Sequence, residues 1–188
     1  MSLHDAWTAL RHGGNLLSPA ALERLPPPGM PPRGLADRLR SALVSIDVDA
    51  APDALSGLLD TILEDACGLR VGWRKGNLPA ADAETLLDGT VLKPRRCWAG
   101  PGGEALGVFV TPATRLGVGK GRRPLAHVFE YLRRRGTPLG LLTNGRQWRL
   151  VWADTDGLAW AEWEAERWLA ADLLSDELEV LRRVLSPE

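Results

Sequence analysis

Apolar residues recur at every third or fourth position in several parts of the chain, which is the spacing of an amphipathic helix. In one such stretch Leu35, Leu39 and Leu43 fall on a single face. The next apolar stripe begins after Asp53, a suitable helix cap, and stops at Gly68. The pattern predicts helices over residues 35–44, between Asp53 and Gly68, over 124–135 and over 173–185, with short helices within 1–25 and a helical turn at Asp82–Leu87.

Elsewhere apolar residues form short alternating or uninterrupted runs that are typical of β-strands. These runs are residues 90–92, 105–110, 139–143, 148–153 and 159–163. Gly100–Gly103 predicts a hairpin between the first two runs, and Asn144–Gly145 predicts a tight turn after the third. The order of elements predicts an α/β or α+β fold with a mixed central sheet flanked by helices, including a strand–helix–strand unit from residue 106 to 143.

Residues 26–34, PPPGMPPRG, contain five prolines and are incompatible with a helix or a central strand. We expect a stiff spacer or a surface arm here. The predicted organisation is an N-terminal arm with a Pro-rich linker over residues 1–34, followed by an α/β domain over residues 35–188.

The chain has 188 residues, of which 45% are hydrophobic and 25% charged, as in ordinary globular domains. It contains no apolar run near the ~20 residues that a membrane helix needs, and its first residues lack the pattern of a secretory signal. Cys67 and Cys97 lack the spacing of a metal site. We therefore expect a cytoplasmic protein that does not enter a membrane.

The formal net charge of −1 hides an uneven distribution. From Arg115 to Arg149 nine Lys or Arg residues face one acid, Glu130, whereas residues 150–188 carry a net charge of −7. Gly117, Gly119 and Gly121 lie among the first basic residues and predict a mobile loop, which lacks the spacing of a P-loop or of a dinucleotide site. A basic, glycine-rich segment of this kind is suited to contact a nucleic-acid backbone.

Five of the eight tryptophans fall between Trp148 and Trp168. We expect them to pack in the core on the back of the sheet. Stacking on a base or another ligand is the alternative.

Three segments resemble a known group of domains. The segment LLTNGRQWRL (residues 141–150), the run WAEW (160–163) and the run LDGTVLKP (87–94) resemble parts of the N-terminal PD-(D/E)XK nuclease-like domains of bacterial restriction and anti-phage modification enzymes. That group includes type I restriction subunits and the type IIG/IIL and DISARM-type adenine methyltransferases, and the similarity covers about residues 55–175. The resemblance implies a restriction-endonuclease-like fold, DNA as a partner, and association with other subunits or domains of a defence system.

The basic segment supplies the candidate DNA contacts. The Asn144–Gly145 turn places Arg146 and Arg149 at a strand start, beside the basic helix end at Arg133–Arg135, where together they could hold phosphates. The candidate DNA-binding residues are Arg115, Lys120, Arg122, Arg123, Arg133, Arg134, Arg135, Arg146 and Arg149.

An active nuclease of this fold needs an acid on one strand and an acid-x-Lys pair on the next, which together bind Mg²⁺ and orient water. The candidate acids are Asp88, Glu64 and Glu104. However, the acid-x-Lys pair should lie on or just after Leu106–Val110, and residues 108–113 contain neither an acid nor a lysine.

Three functions remain open at this point. The favoured one is a DNA-binding, nuclease-like module that lacks an intact catalytic motif and needs no cofactor. The alternatives are an active Mg²⁺-dependent endonuclease that depends on Asp88, and a protein-interaction domain of a larger defence complex.

Overall fold

The computed structural model describes residues 2–46, 52–100, 105–112, 115–153, 157–170 and 173–186. Its helices are α1 (Leu3–Ala9), α2 (Pro19–Arg24), α3 (Leu35–Val44), α4 (Pro52–Leu59), which continues as a π-helix over Asp60–Ala66, α5 (Arg122–Arg135) and α6 (Asp176–Val184). Its strands are β1 (Arg11–Gly13), β2 (Trp73–Lys75), β3 (Glu84–Thr85), β4 (Val91–Leu92), β5 (Arg96–Ala99), β6 (Ala105–Val110), β7 (Leu139–Thr143), β8 (Gln147–Ala153), β9 (Leu158–Glu164), β10 (Leu169–Ala170) and β11 (Leu173–Leu174).

Seven strands in the described part of the chain form one mixed sheet, in the order β1-β9-β8-β7-β6-β5-β2. β5 and β6 are antiparallel, whereas β6 and β7 are parallel and are connected through α5. β7 and β8 are antiparallel across the turn at residues 144–146. The predicted class, an α/β fold with a mixed sheet, is confirmed, and so is the predicted strand–helix–strand unit.

Contacts group the described chain into two compact units. The first lies within residues 1–11, 17–70 and 163–188, and the second within 12–16 and 71–162. This grouping differs from the predicted boundary at residue 34, because α1 and α2 belong to the same unit as α3, α4 and α6. No helix in the described ranges is both long and apolar enough to cross a lipid bilayer.

The first unit is a helical cluster around two tryptophans. The rings of Trp7 and Trp163 meet edge to face with centroids 6.2 Å apart. Arg182 on α6 is buried and donates to the carbonyl oxygen of Ala66 (2.8 Å) and to that of Gly29, so it ties the Pro-rich segment to the end of the π-helix. Of the five tryptophans between Trp148 and Trp168, three are fully buried, namely Trp148 of the second unit and Trp163 and Trp168 of the first, so the expected core packing accounts for most of them.

The second unit contains the sheet and α5, whose apolar face packs on it. Val128, Tyr131 and Leu132 of α5 lie in one cluster with Phe109 and Leu142 of the sheet. The helix ends at Gly136, which adopts a left-handed conformation (φ 62°) as the predicted cap requires.

Several local predictions were wrong. Asp82–Leu87 is not a helical turn, because Glu84 and Thr85 pair with Leu92 and Val91 in a small hairpin. The strand before the predicted Gly100–Gly103 hairpin is β5 rather than residues 90–92, and Gly100 alone of that turn lies in the described residues. The last helix begins after Ser175, whose hydroxyl accepts from Leu178, because Leu173–Leu174 form a strand instead.

Candidate nucleic-acid interface

The nine predicted DNA contacts lie in three places of the second unit. Four are at the glycine-rich loop (residues 115–121) and the start of α5, three are at the end of α5, and two are in the turn before β8 and on β8 itself. In that order they are Arg115, Lys120, Arg122 and Arg123, then Arg133, Arg134 and Arg135, then Arg146 and Arg149.

The glycine-rich loop is a closed turn. The N–H of Gly117 donates to the carbonyl oxygen of Gly121 (3.1 Å), and the N–H of Gly121 donates to that of Val118 (2.9 Å). A Cβ atom added at Gly121 would lie 1.8 Å from the carbonyl oxygen of Arg115, so only glycine permits this approach. The turn therefore brings the backbone of Arg115 against the residue that precedes α5.

Two buried side chains of β8 hold this loop at Leu116. The Leu116 N–H donates to Oε1 of Gln147 (2.8 Å), and its carbonyl oxygen accepts from Nη2 of Arg149 (3.3 Å). The Leu116 side chain is itself fully buried in the core cluster. The structure thus differs from the predicted mobile loop, because both backbone polar groups of Leu116 are bonded to the interior.

Arg149 owes its position to a buried acid on the neighbouring strand. Its Nε donates to Oε2 of Glu162 (2.8 Å), and its Nη2 donates to the same oxygen. The guanidinium carbon also lies 3.9 Å from the ring centroid of Trp160, in a cation–π contact. Nε2 of Gln147 lies 3.4 Å from Oε1 of Glu162 and completes the network.

Arg149 therefore differs from its prediction as a DNA contact. Both its side chain and that of Glu162 are almost wholly buried, at 2% and 0% exposure. A guanidinium in the interior must be neutralised where it lies, and Glu162 does this. Arg149 holds the loop from the protein interior by its bond to Leu116, and its charge is not accessible to a ligand at the surface.

Three predicted cations are exposed without a partner in the described part of the chain. These are Arg115, Lys120 and Arg122, which lie on the glycine-rich loop and at the first residue of α5. We call them the loop cations. Because no described carboxylate neutralises them, they are the residues of the predicted set whose charge is directly available to an external anion.

Other predicted contacts already have acidic partners. Arg123 pairs with Asp88 (2.9 Å), Arg134 with Glu130 (2.8 Å), and Arg135 lies 3.8 Å from Asp82. Such pairs reduce the charge that a phosphate would meet. Arg133 and Arg146 are exposed, at the end of α5 and in the turn before β8.

Asp88, a candidate catalytic acid, holds a turn against α5. Its Oδ1 accepts from the N–H of Thr90 (2.9 Å), and its Oδ2 lies 2.9 Å from Nη2 of Arg123 and 2.8 Å from Nε2 of His127. The bond from Thr90, followed by that from Arg123, holds the pKa of Asp88 well below its ordinary value of 3.8. In this structure the Asp88 carboxylate therefore closes the turn before β4 and joins that turn to α5.

The other candidate acids do not join Asp88 in a described site. Glu64 belongs to the first unit, where it lines a cavity of about 220 Å³ together with Cys67 and Arg182. Glu104 lies outside the described residues. Within the described ranges no three His, Cys, Asp or Glu side chains are grouped so that they could hold a metal ion.

Sequence reasoning missed Gln147, Glu162 and the interior position of Arg149. A usable signal was present, because Arg149 and Glu162 each interrupt an apolar strand, and opposite charges on neighbouring strands can neutralise each other. The burial of Leu116 gave no local signal, since it depends on a contact between residues more than 30 positions apart.

Breaking the buried ion pair should destabilise the protein. We expect Glu162→Gln to lower the free energy of unfolding by about 3 kcal/mol, because the charge of Arg149 is then buried without neutralisation. Urea unfolding measures the change. The control is Glu164→Gln on the same strand. Because the pair of Glu164 with Arg167 is exposed, this substitution should lower the free energy of unfolding by less than about 1 kcal/mol.

A double variant separates charge balance from support of the loop. R149M/E162L should recover much of the stability that E162Q loses, because no charge is left buried. It should nevertheless be cut by trypsin at the loop cations faster than the wild type, because the Leu116 carbonyl has lost its donor. Equal loop cleavage in the double variant and the wild type would contradict the anchoring role of Arg149.

The stability that the Asp88 carboxylate gives to this turn should depend on pH in a defined direction. Since the pKa of Asp88 is lowered on folding, its stabilising contribution is present above about pH 4 and is lost as the pH falls toward the folded-state value. The difference in unfolding free energy between the wild type and Asp88→Asn should therefore shrink from pH 5 to pH 2. A difference that stays constant over this range would show that the carboxylate charge is not what stabilises the turn.

Comparison of the chain with protein-family models, with curated proteins and with solved structures finds no match.

Proposed function

We propose that this chain is a DNA-binding module that holds the sugar–phosphate backbone with its loop cations. The observation that carries the proposal is the group Arg115, Lys120 and Arg122, which are exposed and without described partners. They lie on, or directly after, a loop that is bonded to the protein interior. A loop whose backbone is already bonded to the interior loses little backbone entropy when its exposed cations bind a phosphate. Duplex DNA supplies phosphates at a regular and high density.

The resemblance of LLTNGRQWRL and its neighbours motivates the cellular role in this proposal. We place the module in a cytoplasmic restriction–modification or anti-phage system, together with other subunits or domains. Binding of this kind needs no cofactor. Cleavage is not part of the proposal, because β6 and the residues that follow it carry no acid-x-Lys pair.

The salt dependence of DNA binding tests the proposal. Each phosphate neutralised by the protein contributes about 0.9 to the slope of log K against log salt concentration. The triple variant R115Q/K120Q/R122Q should reduce the steepness of that slope by about 3 and weaken binding strongly at low salt. A fluorescent 20-base-pair duplex, titrated by anisotropy at several salt concentrations, provides the measurement.

A second triple variant removes the same total charge elsewhere. R38Q/R40Q/R70Q alters three arginines of the first unit that pair with Asp65 or Asp37. It should leave the slope nearly unchanged, because those charges are already offset. Equal losses in both variants would indicate a general charge effect and contradict a site at the loop.

The same binding reactions, run with Mg²⁺, address the nuclease alternative. The proposal predicts that duplex and plasmid DNA are recovered uncut. Cleavage that Asp88→Asn abolishes would instead support an endonuclease in which Asp88 and Mg²⁺ act together.

A further inference from the structure

Two aliphatic side chains project from a small turn of the second unit. Leu87 is 85% exposed and Val91 is 64% exposed. They belong to the β3–β4 hairpin, in which the alternate residues Leu86 and Leu92 point into the core cluster. The turn itself is closed by the N–H of Leu86, which donates to the carbonyl oxygen of Thr90 (2.8 Å). The hairpin thus uses two apolar residues as its anchor and presents two more to solvent.

The projecting turn is fastened to α5 at several points. The N–H of Leu87 donates to Oε1 of Glu130 (2.5 Å). The next residue, Asp88, bonds both Arg123 and His127, which are one helical turn apart. Leu87 is therefore held on a fixed support, and inserting it into a partner costs little conformational entropy.

The tip lies along α5 between Arg123 and Glu130, and the helix begins at the loop cation Arg122. Asp88 contacts Arg123, and the preceding residue, Arg122, is a loop cation. The carboxylate of Asp88 is offset by Arg123, so it does not cancel the positive charge around the tip. The result is an apolar projection joined to the residue that follows Arg122, a cation with no described partner of its own.

An exposed apolar side chain together with unpartnered cations is better suited to bind duplex DNA than to bind a polyanion without bases. A polyanion without an apolar interior would use the cations but not Leu87. DNA offers phosphates at its surface and stacked bases within its grooves, and leucine is among the side chains that enter base steps from the minor groove. A lipid surface fits less well, because interfacial binding uses a broad amphipathic face rather than two aliphatic side chains on a turn.

We infer that the turn at Leu87 is an apolar wedge that enters the minor groove of duplex DNA and bends it, while the loop cations hold the adjacent backbone. This inference rests on the proposed DNA binding and adds how the duplex is engaged. Partial unstacking at one base step would bend the duplex toward the major groove and bring more phosphates within reach of the cations.

The test uses the full chain and a 20-base-pair duplex labelled at both ends for energy transfer. Leu87→Ser should weaken binding about tenfold and lower the bend, because the apolar contact is lost. It should reduce the steepness of log K against log salt by less than the triple variant of the loop cations does, since no cation has been removed and only the phosphate contacts that depend on the bend are lost. Leu87→Met, which keeps an apolar side chain of similar length, should bind and bend nearly as the wild type does.

Val71→Ser is the matched control, because Val71 is also an aliphatic residue of the second unit and is 87% exposed. It should change neither the affinity for the duplex nor its bend.

If Leu87→Ser binds and bends DNA as the wild type does, the inference of an apolar wedge is overturned, while the proposed DNA binding stands. If the wild type does not bind the duplex at low salt, the proposed function itself fails. Binding of the wild type to phosphatidylserine vesicles but not to DNA, lost in Leu87→Ser, would overturn the wedge in favour of a lipid partner.

Discussion

The ion pair between Arg149 and Glu162 is buried in the second unit, and the glycine-rich loop depends on it. Moving two charges out of water is costly unless both are fully bonded in the interior. Glu162 accepts two bonds from Arg149, Trp160 lies against the guanidinium, and Nη2 of Arg149 also donates to the carbonyl oxygen of Leu116. One buried arginine thereby joins a central strand to a surface loop.

This constraint explains the glycines of the loop. A Cβ atom added at Gly117, whose φ is +69°, would lie 2.4 Å from Nη1 of Arg149. Gly121 meets the carbonyl oxygen of Arg115 in a similar way. The loop can pass over the buried guanidinium only because Gly117 lacks a side chain, and it can close on the backbone of Arg115 only because Gly121 lacks one. In consequence the backbone that carries Arg115, Lys120 and Arg122 has a defined path before any ligand is present. The hairpin that carries Leu87 is joined to α5 through Asp88.

The spacing of apolar residues and the helix-ending glycines predicted those elements whose structure depends on residues close in sequence. Helix α3 has the predicted bounds, Leu35–Val44, and α5 ends at its predicted glycine. β5 was missed because Arg96 and Cys97 do not suggest a strand, although Arg96 is buried where β5 pairs with β6. Asp82–Leu87 looked helical because its pairing with residues 91–92 is not visible in its own sequence. For the candidate site, the run of Lys and Arg residues predicted the basic region. That Arg149 is buried, unlike the loop cations, could be seen only from its contact with Glu162 in the structure.

Hydrogen exchange at the Leu116 amide tests most directly whether the loop is held by the interior. That amide donates to the buried Gln147 and lies above the Arg149–Glu162 pair. It should therefore exchange in the free protein as slowly as the amides of β8 and should open only with the surrounding sheet. Exchange at the rate of an unprotected surface loop would contradict this anchoring, because the backbone that carries the loop cations would then have no fixed path before binding.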